Sequence, residues 1–330
     1  MQNQRPIFSL AFLTAAALAN SEPVLLMATE VSLAVRIAQA ETTQPLASSP
    51  SPGQAAEVKV PATNSSACSE AKDRQVVEEL LKAMGQPNLA VDKVAIFGGV
   101  GTGESCIVEL DLNFRDLSGP IPARIAQLTG LRKLSMGGNK LTGSIPVELA
   151  QLQSLELLDL GSNDLSGEIP PQLGELTALK ELDLASNQLT GQIPVELSKL
   201  QRLRKLNLHI NELSGPIPPE LGNLTNLKHL RLYKNALSGS IPPELGKLTA
   251  LETLELFDNQ LSGEVPPELG NLVRLELLEL HQNQLSGPLP DSFANLTKLV
   301  GLTLARNNGL CAPADKFKTA RWYRPEMACP

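Results

Sequence analysis

The sequence predicts an α/β repeat solenoid: nine repeats of 24 residues, with short strands stacked into one parallel, concave sheet and a cap at each end. Three observations predict it. Asn139, Asn163, Asn187, Asn211, Asn235, Asn259, Asn283 and Asn307 recur at a constant interval of 24 residues, and a fixed period in this range is the signature of a repeat architecture. Each asparagine closes the same apolar frame, as in Leu155-x-x-Leu158-x-Leu160-x-x-Asn163-x-Leu165. The frame recurs once upstream as Ile107-x-x-Leu110-x-Leu112-x-x-Arg115-x-Leu117, with Arg115 at the asparagine position. Each unit then continues into a turn segment, such as Ser166-Gly167-Glu168-Ile169-Pro170, Ser214-Gly215-Pro216-Ile217-Pro218 or Ser238-Gly239-Ser240-Ile241-Pro242.

Each residue type has a mechanical task. The alternation in L-x-L makes a short strand with Leu inward and x outward. A single repeat cannot bury its own apolar face, so stacked neighbours must share one core. Leu158, Leu160, Leu165, Ile169, Leu173 and Leu176 are expected inside one coil. The asparagine is expected to turn inward where the chain bends, its amide satisfying backbone groups that have left the strand. Glycine permits the tight turn, and the proline after Ile is expected to restrict φ where a second short edge begins.

The frame and its L-[ST]-G-x-[IVL]-P second half resemble the leucine-rich repeat family, and within it the plant-type subclass found in receptor-kinase ectodomains and polygalacturonase-inhibiting proteins. The resemblance covers residues 68 to 330 and implies a right-handed superhelix with disulfide-bonded caps. Residues 67–106 look like the amino-terminal cap: residues 73–84 have apolar positions at helical spacing, ended by Gly85 and Pro87, and resemble the family's cap helix. Phe97-Gly98-Gly99-Val100 stands where that family has W-x-G-V. Residues 107–312 carry the repeats, and 313–330 resemble the carboxy-terminal cap, with Phe317, Trp322 and Tyr323 expected over the last coil. Four cysteines allow three pairings. The resemblance implies Cys68 with Cys106 and Cys311 with Cys329, one bond per cap, which fits an oxidising compartment.

Residues 1–40 read as an export signal. Arg5 gives a weak positive start, and Ile7 to Ala19 is an apolar run too short to span a bilayer. Cleavage patterns end at Ala19 and Ala40, and the polar turn at Glu41 favours the second. Retention as an amphipathic anchor is the rival, and would bring association with a membrane or cell wall. Residues 41–66, rich in Pro, Ser, Thr, Gln and Ala, are expected to be a disordered linker. Asn64, Asn223 and Asn295 begin glycosylation sequons. The run from Gly98 to Ser105 has phosphate-loop spacing, but Glu104 stands where the lysine belongs, so no nucleotide site is expected.

The net charge of −7, with no basic block, argues against nucleic-acid binding. The outward positions lie six, four and two residues before each asparagine. The minus-two column runs Asn113, Gly137, Gly161, Ala185, His209, Tyr233, Phe257, His281, Ala305. In a chain with 3% aromatic residues, four adjacent rings in one outward column are not demanded by folding. Lys205, His229, Arg231, Glu255 and Glu279 flank them, and these nine residues form the candidate ligand-binding set. Rings and arginines dominate binding hot spots; the competing reading is that the rings stack and stiffen the sheet. A shared metal site fails on distance, because His209 and His281 are three strands apart, ~14 Å. No nucleophile–base set falls on neighbouring outward positions, so neither catalysis nor a cofactor is expected. With no membrane helix or kinase domain before Pro330, the expected protein is a secreted or cell-surface binder of a protein, peptide or oligosaccharide. The alternative is a structural or adhesive surface protein in which the solenoid is a spacer.

Overall fold

The computed structural model describes residues 69–99 and 105–330. The expected signal peptide, the linker, Asn64, Cys68 and most of the Gly98–Ser105 loop lie outside the described residues.

One ten-stranded sheet runs through the described chain. It opens with an antiparallel pair, Ala95–Gly99 against Ser105–Asp111, and continues in parallel. The parallel strands are three residues long, from Lys133–Ser135 through Leu157–Asp159, Glu181–Asp183, Lys205–Asn207, His229–Arg231, Thr253–Glu255 and Leu277–Glu279 to Gly301–Thr303. The register repeats without slippage: Leu158 faces Leu182, Leu182 faces Leu206, and Leu206 faces Leu230. The inward leucines are fully buried, as are Leu165, Leu173 and Leu176, with Ile169 1% exposed, so the core is one column of coils. Among the described residues this is the nine-repeat, parallel-sheet solenoid that the period predicts.

The asparagines do what the bend requires. The Asn187 amide donates to the carbonyls of Leu160, Leu184 and Ala185 at 3.0–3.2 Å, and its Oδ1 accepts from Leu165 N–H at 3.0 Å. Each asparagine thereby joins two consecutive coils. An unmet buried polar group would cost about 1–3 kcal/mol, so the column is structural. The residue just before each ladder asparagine is in the left-handed region, as at Ser186, Ile210 and Lys234 with φ of 52–54°.

The role of proline differs from the expectation. The second short edges, such as Asp164–Glu168 and Gln260–Glu264, end before the Ile-Pro or Val-Pro pair. Pro170, with φ −62°, instead precedes the 3₁₀ turn Pro171–Glu175, and the same holds at Pro194, Pro218 and Pro242. A fixed φ near −65° is preorganised for the start of a helical turn, whereas a strand interior needs the amide hydrogen that proline lacks. The glycine before it does serve the turn: Gly167 has φ +80°.

The amino-terminal helix spans Glu70–Ala83 and lays Val77, Leu80 and Leu81 on the first coil. Asp73, 2% exposed, accepts from the Ile107 amide at 2.8 Å, tying the helix to the first repeat. Burial raises the Asp73 pKa, against the pull of that bond. Cys106 is disulfide-bonded; its expected partner, Cys68, is outside the described residues. At the other end Cys311 and Cys329 are joined, with Cα atoms 4.9 Å apart. Phe317 and Trp322 are buried with ring centroids 5.2 Å apart, and Tyr323 packs on the same core.

Candidate ligand-binding face

The minus-two column lies past the strands rather than on them. Lys205–Asn207 ends two residues before His209. The ladder nevertheless continues: Ser186 N–H bonds the His209 carbonyl, Ile210 N–H that of Tyr233, and Lys234 N–H that of Phe257, at 2.8–3.0 Å. This continued register aligns the four rings. His209, Tyr233, Phe257 and His281 form one stack with centroid steps of 4.3, 4.3 and 4.4 Å and interplanar angles of 10–15°. The steps are shorter than the ~4.8 Å between strand axes, as expected for side chains on the inner side of a curve. The rings are half-buried rather than freely exposed, because their faces cover one another.

The flanking charges are more enclosed than the outward pattern suggests. His229 is 6% exposed, Glu255 7% and Glu279 5%. Arg231 Nε donates to Glu255 Oε1 at 2.7 Å, and Lys205 pairs with Glu181 at 3.6 Å. His229 Nδ1 lies 3.1 Å from Thr253 Oγ1, and His281 Nδ1 2.6 Å from Thr303 Oγ1. These threonines, which the sequence reading did not single out, fix two imidazoles; Thr253 stands one 24-residue period after His229, so the repeat spacing carried that pair, whereas Thr303 stands 22 residues after His281, in another column. Burial dominates the titration of the three imidazoles and the tyrosine. It lowers His209 and His281 to about 4 and His229 to about 3, and raises the Tyr233 hydroxyl to about 12. At neutral pH the stack is uncharged, bordered by a held arginine and carboxylates.

The amino-terminal part of the same face is built differently. Asp159 and Asp183 each cap the backbone two residues on, at Gly161 and Ala185, at 3.0 Å. A Cβ on Gly137 would come within 2.9 Å of Asp159 Oδ2, and one on Gly161 within 3.0 Å of Asp183 Oδ1. A side chain at either position would press on the carboxylate of the next coil, which would have to shift to admit it. Burial raises Asp159 to about 6, with Asp183 and Asp111 adding repulsion and the Gly161 N–H opposing.

Among the described residues, no group of three or more His, Cys, Asp or Glu side chains is placed to hold a metal ion. None of their helices is long and apolar enough to cross a membrane. The sequence reading also passed over two exposed apolar residues in left-handed backbone, Phe114 at 82% exposure and Ile210 at 41%. Bulky side chains rarely adopt that conformation, and Ile210 adjoins the ring stack.

The Leucine Rich Repeat family model matches seven consecutive segments, from 130–152 to 274–296. The ectodomain of the Arabidopsis receptor kinase HAESA, solved with a peptide hormone ligand, is 32% identical over 74% of this chain and 42% of its own, with a TM-score of 0.65. The plant peptide hormone receptor RGFR1, solved in complex with RGF2, is 39% identical over 58% of this chain and 31% of its own, with a TM-score of 0.57. A plant ice-binding protein is 29% identical over 74% of this chain and 88% of its own, with a TM-score of 0.59. This chain thus spans less than half of either receptor structure but most of the ice-binding protein. Comparison with curated proteins finds no match.

Proposed function

The chain belongs to the leucine-rich repeat family, and from that premise we propose that it is an extracellular recognition module. It binds a protein or peptide, or an oligosaccharide, on the concave face and has no catalytic activity of its own. One observation carries the reading: four flat side chains concentrated in a single column of a chain that has 3% aromatics, bordered by Arg231, Glu255 and Glu279. Rings preordered by their neighbours lose little conformational freedom on binding, which favours their use as anchors. Relatives solved with peptide hormones support a peptide or protein as ligand, and the ice-binding relative is a reminder that the scaffold does not choose its ligand. Those receptors supply the extracellular setting as well, by analogy.

The stacked faces favour a second reading, in which the column stiffens a spacer. One experiment separates the two. The full chain and its Tyr233→Ala/Phe257→Ala variant are used to capture partners from extracellular medium. A partner retained by the native chain and lost by the folded variant is the expected result. Equal capture by both, together with a large fall in melting temperature of the variant, would instead assign the rings to stiffness alone.

A further inference from the structure

On the concave face the charges beside the rings are paired, and those of the carboxylate block are not. Arg231 holds Glu255 at 2.7 Å, and Lys205 lies 3.6 Å from Glu181. Asp159 and Asp183 face each other on adjacent strands, and among the described residues no ion pair includes either. Their carboxylates crowd one place: the point where a Cβ on Gly161 would stand is 3.0 Å from Asp183 Oδ1 and 3.4 Å from Asp159 Oδ1. Like charges so close raise the free energy of the face unless a cation answers them.

The ring stack ends against this block. His209 carries Tyr233 on one face, at 4.3 Å; on the other, among the described residues, it meets no ring, because the column falls to Ala185. Burial lowers the His209 pKa, the charge of Asp183 opposes the fall, and Arg231 and Lys234 of the next coil add to it, so the Asp183 carboxylate stands close to the imidazole. Between them, Asn207 gives its Nδ2 to Asp183 Oδ2 at 2.7 Å and leaves its Oδ1 buried with no hydrogen-bond partner. His209 Nδ1 is also unmet, whereas His281 Nδ1, at the far end of the stack, lies 2.6 Å from Thr303 Oγ1. The rung at Ala185 is thus bordered by a ring face without a neighbour, a carboxylate without a cation and an amide oxygen without a donor. A single group would answer all three: one that is planar, cationic and rich in N–H.

We propose that the Ala185 rung is a subsite for an arginine side chain of a peptide or protein ligand, its guanidinium lying on the open face of His209 as a fifth plane of the stack and donating to Asp183. The inference rests on the concave-face reading and names the side chain that meets the edge of the ring block. Guanidinium is flat, stacks on aromatic faces and takes a carboxylate through two parallel bonds, none of which an ammonium group reproduces. Its remaining N–H groups reach Asn207 Oδ1 once that amide turns outward. The imidazole is neutral at neutral pH, so it does not repel the incoming charge. Asp159, one coil further on, adds attraction without touching the ring. Gly161 and Ala185 contribute almost no side chain, which leaves the approach to Asp183 unwalled.

The test uses the full chain with labelled tetra-arginine as probe, and tetralysine and tetracitrulline as controls; citrulline keeps the planar shape and loses the charge. Tetra-arginine is expected to bind most tightly and tetracitrulline least. Asp159→Asn/Asp183→Asn keeps the side-chain shapes and relieves repulsion, so it should melt no lower than the native chain and yet bind tetra-arginine at least about tenfold more weakly, the loss of a charge-assisted pair. Glu220→Gln/Glu268→Gln makes the same change of charge on exposed 3₁₀ turns and should leave the affinity within about twofold, since well-separated surface charges are screened. His209→Ala leaves both carboxylates in place and should bring tetra-arginine down to the affinity of tetralysine. Equal binding of tetra-arginine and tetralysine by the native chain, unchanged affinity in the aspartate variant, or an equal loss in the glutamate variant would each overturn the arginine subsite. Any of these, found together with partner capture that still depends on Tyr233 and Phe257, would leave the concave-face reading standing.

Discussion

The two ends of one surface column solve the same packing problem with opposite chemistry. Between Gly137 and Ala185 the column is small, and the Asp159 and Asp183 carboxylates of the following coils fill the space at Gly137 and Gly161. Between His209 and His281 it is aromatic, and the rings fill the space themselves. The backbone register is the same in both, so neither filling is dictated by the coil. The difference shows that the leucines and asparagines alone hold the scaffold, leaving the outward columns to be specialised in blocks of several repeats. It also sets the charge. One block holds Asp159, whose half-buried carboxyl resists ionisation, and imidazoles held neutral occupy the other.

The largest expected effect comes from breaking the ring block. Tyr233→Ala/Phe257→Ala removes all three stacked contacts and should lower stability by roughly 2–4 kcal/mol in chemical denaturation, at about 0.5–1.5 kcal/mol per ring pair plus lost burial. A loss near zero would mean that the stack is ornamental to the fold. Moving a ring into the carboxylate block tests the converse. Gly161→Tyr forces a Cβ onto the Asp183 carboxylate and should cost about 1–3 kcal/mol; a stable, well-packed variant would show the two blocks to be interchangeable.

Acid should separate the blocks by sign. His209 and His281 have folded pKa values near 4, below the ordinary 6.5, so their contribution is present above pH 6.5 and is lost as pH falls towards 4. Asp159, raised from 3.8 to about 6, does the reverse: its contribution is present at low pH and is lost as pH rises through 6. Thermal melts from pH 7 to 4 should therefore show net destabilisation, flattened in a His209→Phe/His281→Phe variant. Identical profiles for variant and native chain would remove the imidazoles from the account. The smallest effect is expected from Asp159→Asn, a gain of about 0.5–1 kcal/mol at pH 7 from relieved repulsion, which disappears near pH 4, where the native carboxyl is already protonated.

The scaffold was legible because its signal repeats. Every inward Leu, every ladder Asn and the turn glycine before each Pro occupies a fixed place in the period, so an error in one unit is corrected by the next. The ring column was legible for the same reason, and its four rings lie stacked on one another. Less visible was whatever depends on side-chain direction. The outward pattern at His229, Glu255 and Glu279 could not reveal their enclosure, since exposure is set by neighbours across strands. The prolines were assigned to the wrong edge because a restricted φ suits a 3₁₀ turn as well as an extended segment. The ion pairs of Glu156 with Arg132 and Lys180, and of Lys228 with Glu252, were written in the sequence at the repeat spacing. Their column lies one residue before the strands, where L-x-L alternation does not fix which way a side chain points.

The asparagine amides have a further consequence. Each bonds only its own coil and the one before it, at 3.0 Å for Asn187 to Leu160 and likewise for Asn211 to Leu184. Any coil can thus be excised or duplicated as a whole, leaving equivalent surfaces to meet. Length becomes an adjustable quantity, counted in coils. Each added coil between Ala185 and His209 would move the rings ~4.8 Å away from the carboxylates without disturbing either mark.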